Sequence, residues 1–185
     1  MPDPRESPAM QQYARFKKRH PDCILLFRIG DFYELFDDDA ITVSKAIGLT
    51  LTQRTAGIPM CGMPYHQLEV YLKRLIGQGF RVAVCEQLQE ASQAKGVIER
   101  GVTRVLTPGT LVDEALLDDS TPLTLAAVLF TGTGEDSPAA LAIVEVSTGD
   151  FVVLDAAAPA IIDELARRRV RELLYSDTAD GKPPP

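Results

Sequence analysis

The stretch Gly30-Asp31-Phe32-Tyr33-Glu34-Leu35-Phe36 places two adjacent aromatics and a carboxylate directly after a glycine. If the chain is extended here, side chains alternate and Glu34 shares the direction of Phe32. A flat apolar ring beside a hydrogen-bonding group is suited to entering a stack of nucleobases. Such a wedge unstacks a base step and kinks the duplex, at a cost of about a few kcal/mol per step. The cost is lower where pairing is already defective, and that difference is a source of selectivity. A large aromatic at the exit of a strand has a plainer role too, as part of the hydrophobic core. The residues alone leave both readings open.

Other chemistry is conceivable. Asp31, Glu34, Asp37, Asp38 and Asp39 raise the idea of a metal-dependent nuclease, which needs carboxylates converging on one point. Three consecutive aspartates at a helix start would instead fan apart, as surface charge favoured by the helix dipole. Arg54 is a candidate phosphate contact. Met60 and Met63 either line a minor groove or pack into the core. His66 near a helix start is expected to cap or brace rather than catalyse, because no serine or cysteine nucleophile pairs with it in sequence. Cys23, Cys61 and Cys85 are odd in number and lack CxxC spacing, and only His20 and His66 could join them. Reduced thiols are expected, two of them in strands, and no metal site. No catalytic residue is predicted, and no GxxxxGK[ST] phosphate loop occurs.

These residues need elements to hold them. Ser7 then Pro8 starts a helix predicted over 8–19, with Met10, Tyr13 and Phe16 on one face. Residues 23–29 form an apolar run expected to be a strand buried on both sides. A helix is predicted over 37–47, a short strand over 49–52 and a loop over 53–64, where glycine and proline recur. A helix follows over 66–76, a strand over 80–85, a polar mixed segment over 86–100 and a strand over 101–107. Beyond an acidic connection, strands at 123–130, 141–147 and 151–154 read as a meander, then a helix over 159–169 and a fourth strand at 172–175. The fold class is α/β, with a mixed sheet flanked by helices. The expected division is a disordered 1–7, a domain over 8–112, a linker over 113–122 and a partial second domain over 123–185 with an unstructured proline-rich end at 181–185.

The 185 residues carry a net charge of −7, which argues against phosphate binding until its distribution is considered. Residues 1–112 hold 14 Lys and Arg against 12 Asp and Glu, whereas residues 113–185 hold 5 against 14. The acidity belongs to the second part, so the two parts are expected to meet different partners. No apolar run approaches the roughly 18 residues of a membrane span, and the N-terminus lacks the blocks of a signal peptide. The expected location is the cytosol.

The wording of the chain adds a resemblance. Gly30-Asp31-Phe32-Tyr33-Glu34-Leu35-Phe36, Leu51-Thr52-Gln53-Arg54, Ile58-Pro59-Met60-Cys61-Gly62-Met63-Pro64-Tyr65-His66, Val84-Cys85-Glu86-Gln87 and Val105-Leu106-Thr107-Pro108-Gly109-Thr110 occur in this order. Together they resemble the N-terminal mismatch-recognition domain of the MutS family, strongly over residues 8–120. Residues 123–178 resemble the start of that family's connector domain, which has a ribonuclease H-like fold.

The resemblance implies that Phe32 is the intercalating wedge and Glu34 the group that hydrogen-bonds the displaced base, with Arg54 and Met60 as further DNA-contacting candidates. It implies a DNA-binding protein of mismatch repair whose partner is double-stranded DNA with mismatches or small loops. It also implies a cytoplasmic, nucleoid-associated location, and a homodimer and a MutL-type partner in the full-length protein. The family's ATPase, with its ATP and Mg, lies far downstream, so this chain is expected to be an N-terminal fragment that holds no cofactor and is not an enzyme. The chain departs from the family at Gln53, where a basic residue is usual, and in a loop shorter than in many relatives. A protein-interaction module without DNA binding of its own is the alternative.

Overall fold

Helix α1 (Pro8–Arg19) has proline in its first turn and Lys17, Lys18 and Arg19 in its last, where cations meet the negative end of the helix dipole. Its buried face is Met10, Tyr13 and Phe16. In the computed structural model, residues 4–55, 57–89, 96–110, 122–132 and 137–176 are described. They divide into two compact units, Met1–Thr107 and Pro108–Pro185. No helix among the described residues is long and apolar enough to cross a membrane.

The first unit is built on a six-stranded sheet. Its strands are β1 (Ile24–Ile29), β2 (Phe32–Phe36), β3 (Thr52–Gln53), β4 (Pro59–Pro64), β5 (Val82–Gln87) and β6 (Arg100–Leu106), in the spatial order β3-β4-β2-β1-β5-β6. β1 is central, parallel to β5 and antiparallel to β2. The sheet is thus mixed, as its alternation of strands and helices predicts.

Both faces of β1 are covered, which explains its continuous apolar run. On one face, α1 packs Met10, Tyr13 and Phe16 onto Leu25, Phe27, Phe36, Ala83 and Cys85. Tyr13 stands edge-on to Phe27 and Phe36, with ring centroids at 5.6 and 4.9 Å. The opposite face carries Leu26, Tyr33, Leu35, Cys61, Met63 and Val82, all buried. Helices α2 (Asp37–Ile47) and α3 (Leu68–Gly77) cover it with Ala40, Val43, Leu72 and Leu75.

Several expectations need correction. The predicted loop over 53–64 contains strand β4. Its prolines stand at the two ends of the strand, where a missing amide is tolerated. A Cβ on its glycine, Gly62, would come within 3.2 Å of the Tyr33 carbonyl, a tight contact that the bare residue avoids. The short strand expected over 49–52 is displaced to Thr52–Gln53. β5 and β6 reach Gln87 and Arg100, into the segment read as irregular. Residues Pro4–Glu6, expected to be disordered, form a 3-10 turn in which Arg5 grips the Asp37 carboxylate at 2.7 and 3.0 Å. His66 lies exposed in a 3-10 turn, Tyr65–Gln67, and no side chain caps that turn or α3. The predicted linker over 113–122 lies almost wholly, and the tail over 181–185 wholly, outside the described residues.

The second unit has strands β7 (Thr124–Phe130), β8 (Pro138–Glu145) and β9 (Phe151–Ala157) as an antiparallel meander. Helix α4 (Ala158–Arg167) then returns the chain to β10 (Glu172–Tyr175), which pairs parallel with β7. β8 begins at Pro138, earlier than the expected 141. One face packs Ala126, Val128, Leu141 and Ile143 against Ile161 of α4. The other leaves Leu129, Phe151, Val153 and Leu174 exposed.

The three cysteines are free and buried, with Cys61 in β4, Cys85 in β5 and Cys23 just ahead of β1. Burial pushes the Cys61 thiol up to about 11 and that of Cys85 to about 12, so both are poor nucleophiles.

Candidate nucleic-acid interface

β2 determines the site. It is extended from its first residue, so its side chains alternate: Tyr33 and Leu35 point into the core under α2 and α3, and Phe32 and Glu34 share the other face. Phe32 is 49% exposed, while Tyr33, Leu35 and Phe36 are at 1% or less. The ring stands where the cover provided by α1 has ended, in register with Ile29 of β1 and Pro64 of β4. An exposed phenylalanine within a run of buried aromatics is not explained by packing, and the core reading of Phe32 is thereby removed.

The turn behind the ring is braced from the opposite face. The Arg28 guanidinium lies 3.8 Å from the centroid of Tyr65 and 5.6 Å from that of Tyr33. It also pairs with Glu86 at 3.6 Å, and the Tyr33 hydroxyl donates to the same carboxylate. The Tyr65 amide donates to the Asp31 carbonyl at 2.9 Å. The Arg28 side chain also donates to the Gly30 carbonyl, so both residues of the turn behind the ring are held.

Glu34 lies two residues along, in register with Phe27 and Gly62. Because Gly62 has no side chain, the carboxylate can lie across β4. There it meets Arg54, in the turn between β3 and β4, in a direct ion pair. Burial holds the Glu34 carboxyl above its ordinary range and outweighs the opposing pull of Arg54 and then of Arg100. Arg100 is itself buried, donating to the carbonyls of Arg28 at 2.7 Å and Ile98 at 3.0 Å beneath the Phe27 ring. The sequence reading missed Arg100, because it stands at the edge of a segment read as irregular.

The acid at position 34 therefore has a stability cost with a definite sign. A raised carboxyl contributes stability that is complete below the unfolded value and lost as pH rises through the folded one. In Glu34→Gln that loss is absent. Its urea midpoint relative to the parent chain should rise as pH climbs past the ordinary carboxylate range, and level off once Glu34 is ionised in the folded chain too. A relative midpoint that stays flat or falls over that climb contradicts the assignment.

The remaining candidates divide. Arg54 is brought to Glu34. Met60 is half-buried on β4, packs against the α1 cluster opposite Phe36, and lies two residues from the Gly62 position that faces Glu34. Met63 is wholly buried on the other face. The three aspartates do fan apart, but not all as surface charge: Asp37 meets Arg5, Asp38 is exposed, and Asp39 is buried on Lys17 and the Leu25 amide. Among the described residues, no group of three or more His, Cys, Asp or Glu is placed to hold a metal ion.

The chain is similar to known proteins. Residues 7–115 match the family model described as MutS domain I. The chain is 46% identical over 175 residues to a DNA mismatch repair protein MutS of Methanothrix thermoacetophila, covering 92% of this chain and 20% of that one. It is 45% identical over 186 residues to the protein of that name from Alkaliphilus metalliredigens, covering 96% and 21%. The corresponding Chlorobium chlorochromatii protein is 45% identical over 170 residues, covering 92% and 20%. The chain thus spans about a fifth of the length of the curated relatives it matches.

Proposed function

The chain belongs to the MutS family, and from that premise we propose that its first unit reads mispaired and unpaired bases in double-stranded DNA, with Phe32 as an inserted wedge and Glu34 hydrogen-bonding the displaced base. The observation that carries this reading is the half-exposed Phe32 ring on the same strand face as a partly buried carboxylate.

Stacking on an aromatic ring accepts any base, because every base has a π-face. A wedge of this kind therefore accepts many mismatches and small loops, and the selection comes from how cheaply the duplex opens. Glu34 supplies the polar half. In the gap left by a displaced base its carboxyl is further desolvated, and its neutral form can donate to a ring nitrogen. An ionised carboxylate would repel the nearby phosphates. Arg54 is the nearest candidate for a phosphate contact. Met60 serves as the floor of this surface rather than as a groove reader.

The second unit is proposed as the start of the ribonuclease H-like connector. A three-stranded meander followed by a crossover helix and a parallel fourth strand supports that reading. Its acidic balance suits protein contact better than DNA contact. In the longer protein the family implies, ATP and Mg, a homodimer and a MutL-type partner belong to other segments, and the location is cytoplasmic, at the nucleoid.

Gel shifts with mismatched, looped and perfect duplexes at two salt concentrations test the proposal. Tighter binding to the first two is expected, with all three weakening as salt rises. Equal affinity for all three at low salt rejects it.

A further inference from the structure

The Glu34 carboxylate is occupied before any duplex arrives. We propose that Arg54 is a latch on Glu34: it holds the carboxylate in the DNA-free protein, and reading a base requires this ion pair to open and Glu34 to take up a proton from solvent. The inference rests on the wedge-and-carboxylate reading given above and assigns its regulation to one side chain.

The two arginines near Glu34 are held very differently. Arg100 is locked, its donors committed to the carbonyls of Arg28 and Ile98 and its face set 5.0 Å from the Phe27 centroid. Arg54 stands in a short turn, where its amide donates to the Ile58 carbonyl at 3.3 Å, and its guanidinium lies 5.6 Å from the Phe36 centroid. Its side chain is 33% exposed, and that of Glu34 is 18% exposed. The guanidinium can reach water when this pair opens. The pair is therefore the contact that can give way, while Arg100 stays.

The side chains beside Glu34 in the sheet are neutral. Phe27 and Gly62 flank Glu34 on β1 and β4. Cys85 of β5 has its thiol near 12, and burial holds the Tyr13 phenol of α1 protonated. Only Arg54 and Arg100 weigh against burial at Glu34. Losing Arg54 therefore moves the carboxyl toward its neutral, hydrogen-donating form.

A duplex without a defect displaces no base and offers Glu34 nothing in exchange for Arg54. The latch then stays closed, and the carboxylate remains paired with Arg54. A displaced base offers an acceptor, and the proton gained on binding makes mismatch affinity fall as pH rises.

The test uses the whole 185-residue chain in two measurements. The first follows the Glu34 carboxyl carbon by NMR titration without DNA, in the parent chain and in Arg54→Gln. The second measures affinities for one mismatched and one perfect duplex across pH. Arg54→Gln should titrate at higher pH and raise the mismatch-to-perfect ratio roughly three- to fivefold, the scale of a partly exposed ion pair. In a Glu34→Gln background, where no charge remains to hold, the same substitution should leave the ratio unchanged.

An unmoved Glu34 titration overturns the latch. So does an equal weakening of both duplexes with a salt slope lower by about one, which marks a phosphate contact alone. Absence of binding to either duplex overturns it too. If Phe32→Ala keeps the mismatch preference, the wedge reading fails by a different signature. The titration shift then persists in the free chain, and Arg54 is a structural partner only.

Discussion

Phe32→Ala should erase the preference for mismatched over perfect duplex while leaving the fold intact. Stacking of a base on an aromatic ring is worth about 1–3 kcal/mol, which corresponds to roughly a five- to 150-fold change in affinity. The loss should fall on mismatched and looped duplexes. A perfect duplex holds its step closed, and binding to it depends on backbone contacts that the ring does not make. The substitution should cost little stability, because the ring is already half in water. A denaturation midpoint near that of the parent chain is thus the control that separates a lost wedge from a damaged unit. Phe32→Leu keeps an apolar wedge without the flat face and should fall between the two. Competition gel shifts with labelled mismatch and unlabelled perfect duplex give the ratio directly, and a ratio equal to the parent's removes Phe32 from the role.

The shared face of Phe32 and Glu34 was legible in the sequence because alternation is a backbone property. Once residues 32–36 are extended, Glu34 must share the side of Phe32. The sequence could not decide whether that side was covered, because this depends on where α1 ends over the sheet. The partner of Glu34 was out of reach for a similar reason. Arg54 is twenty residues away and arrives only because β4 pairs with β2 and carries the β3–β4 turn beside it.

Strand β4 itself was hidden by its own glycine and prolines, which read as punctuation although each sits where a strand tolerates it. Gly62 was the available signal. A glycine between Cys61 and Met63, in register with a carboxylate, marks a place where something lies close to the backbone. Arg100 was missed because its role is to saturate carbonyls inside the unit, and no local pattern announces that. The second unit was easier: its strands alternate cleanly between a face packed on α4 and an open one, and only their ends differed from expectation.

The largest loss of stability should come from Asp39→Ala, at a residue the sequence assigned to surface charge. Its side chain is 7% exposed. One carboxylate oxygen accepts from Lys17 Nζ at 2.8 Å and the other from the Leu25 amide at 3.0 Å. Lys17 also donates to the Cys23 carbonyl at 2.7 Å, so one side chain ties α1, the start of β1 and the first turn of α2. The position has a cause in the topology. The β1–β2 ladder runs from Ile29↔Phe32 to Phe27↔Glu34. The chain then turns into α2 at Asp37, whose φ of 54° is a left-handed value that aspartate tolerates better than most residues. The Leu25 amide is left facing the start of the helix instead of a strand, and Asp39 supplies the acceptor.

Removing that carboxylate strands a buried amide and leaves a partly buried ammonium without its counter-charge. Breaking a buried pair costs about 3–5 kcal/mol. Lys17 is 30% exposed and can reach water, so a loss of about 2–3 kcal/mol is expected. Urea denaturation should show it as a lower midpoint with an unchanged slope. Adding Lys17→Met should recover part of the loss, because it removes the orphaned charge but not the orphaned amide. If Asp39→Ala shifts the midpoint by less than the roughly 0.5 kcal/mol typical of surface substitutions, the carboxylate does not hold these three elements together.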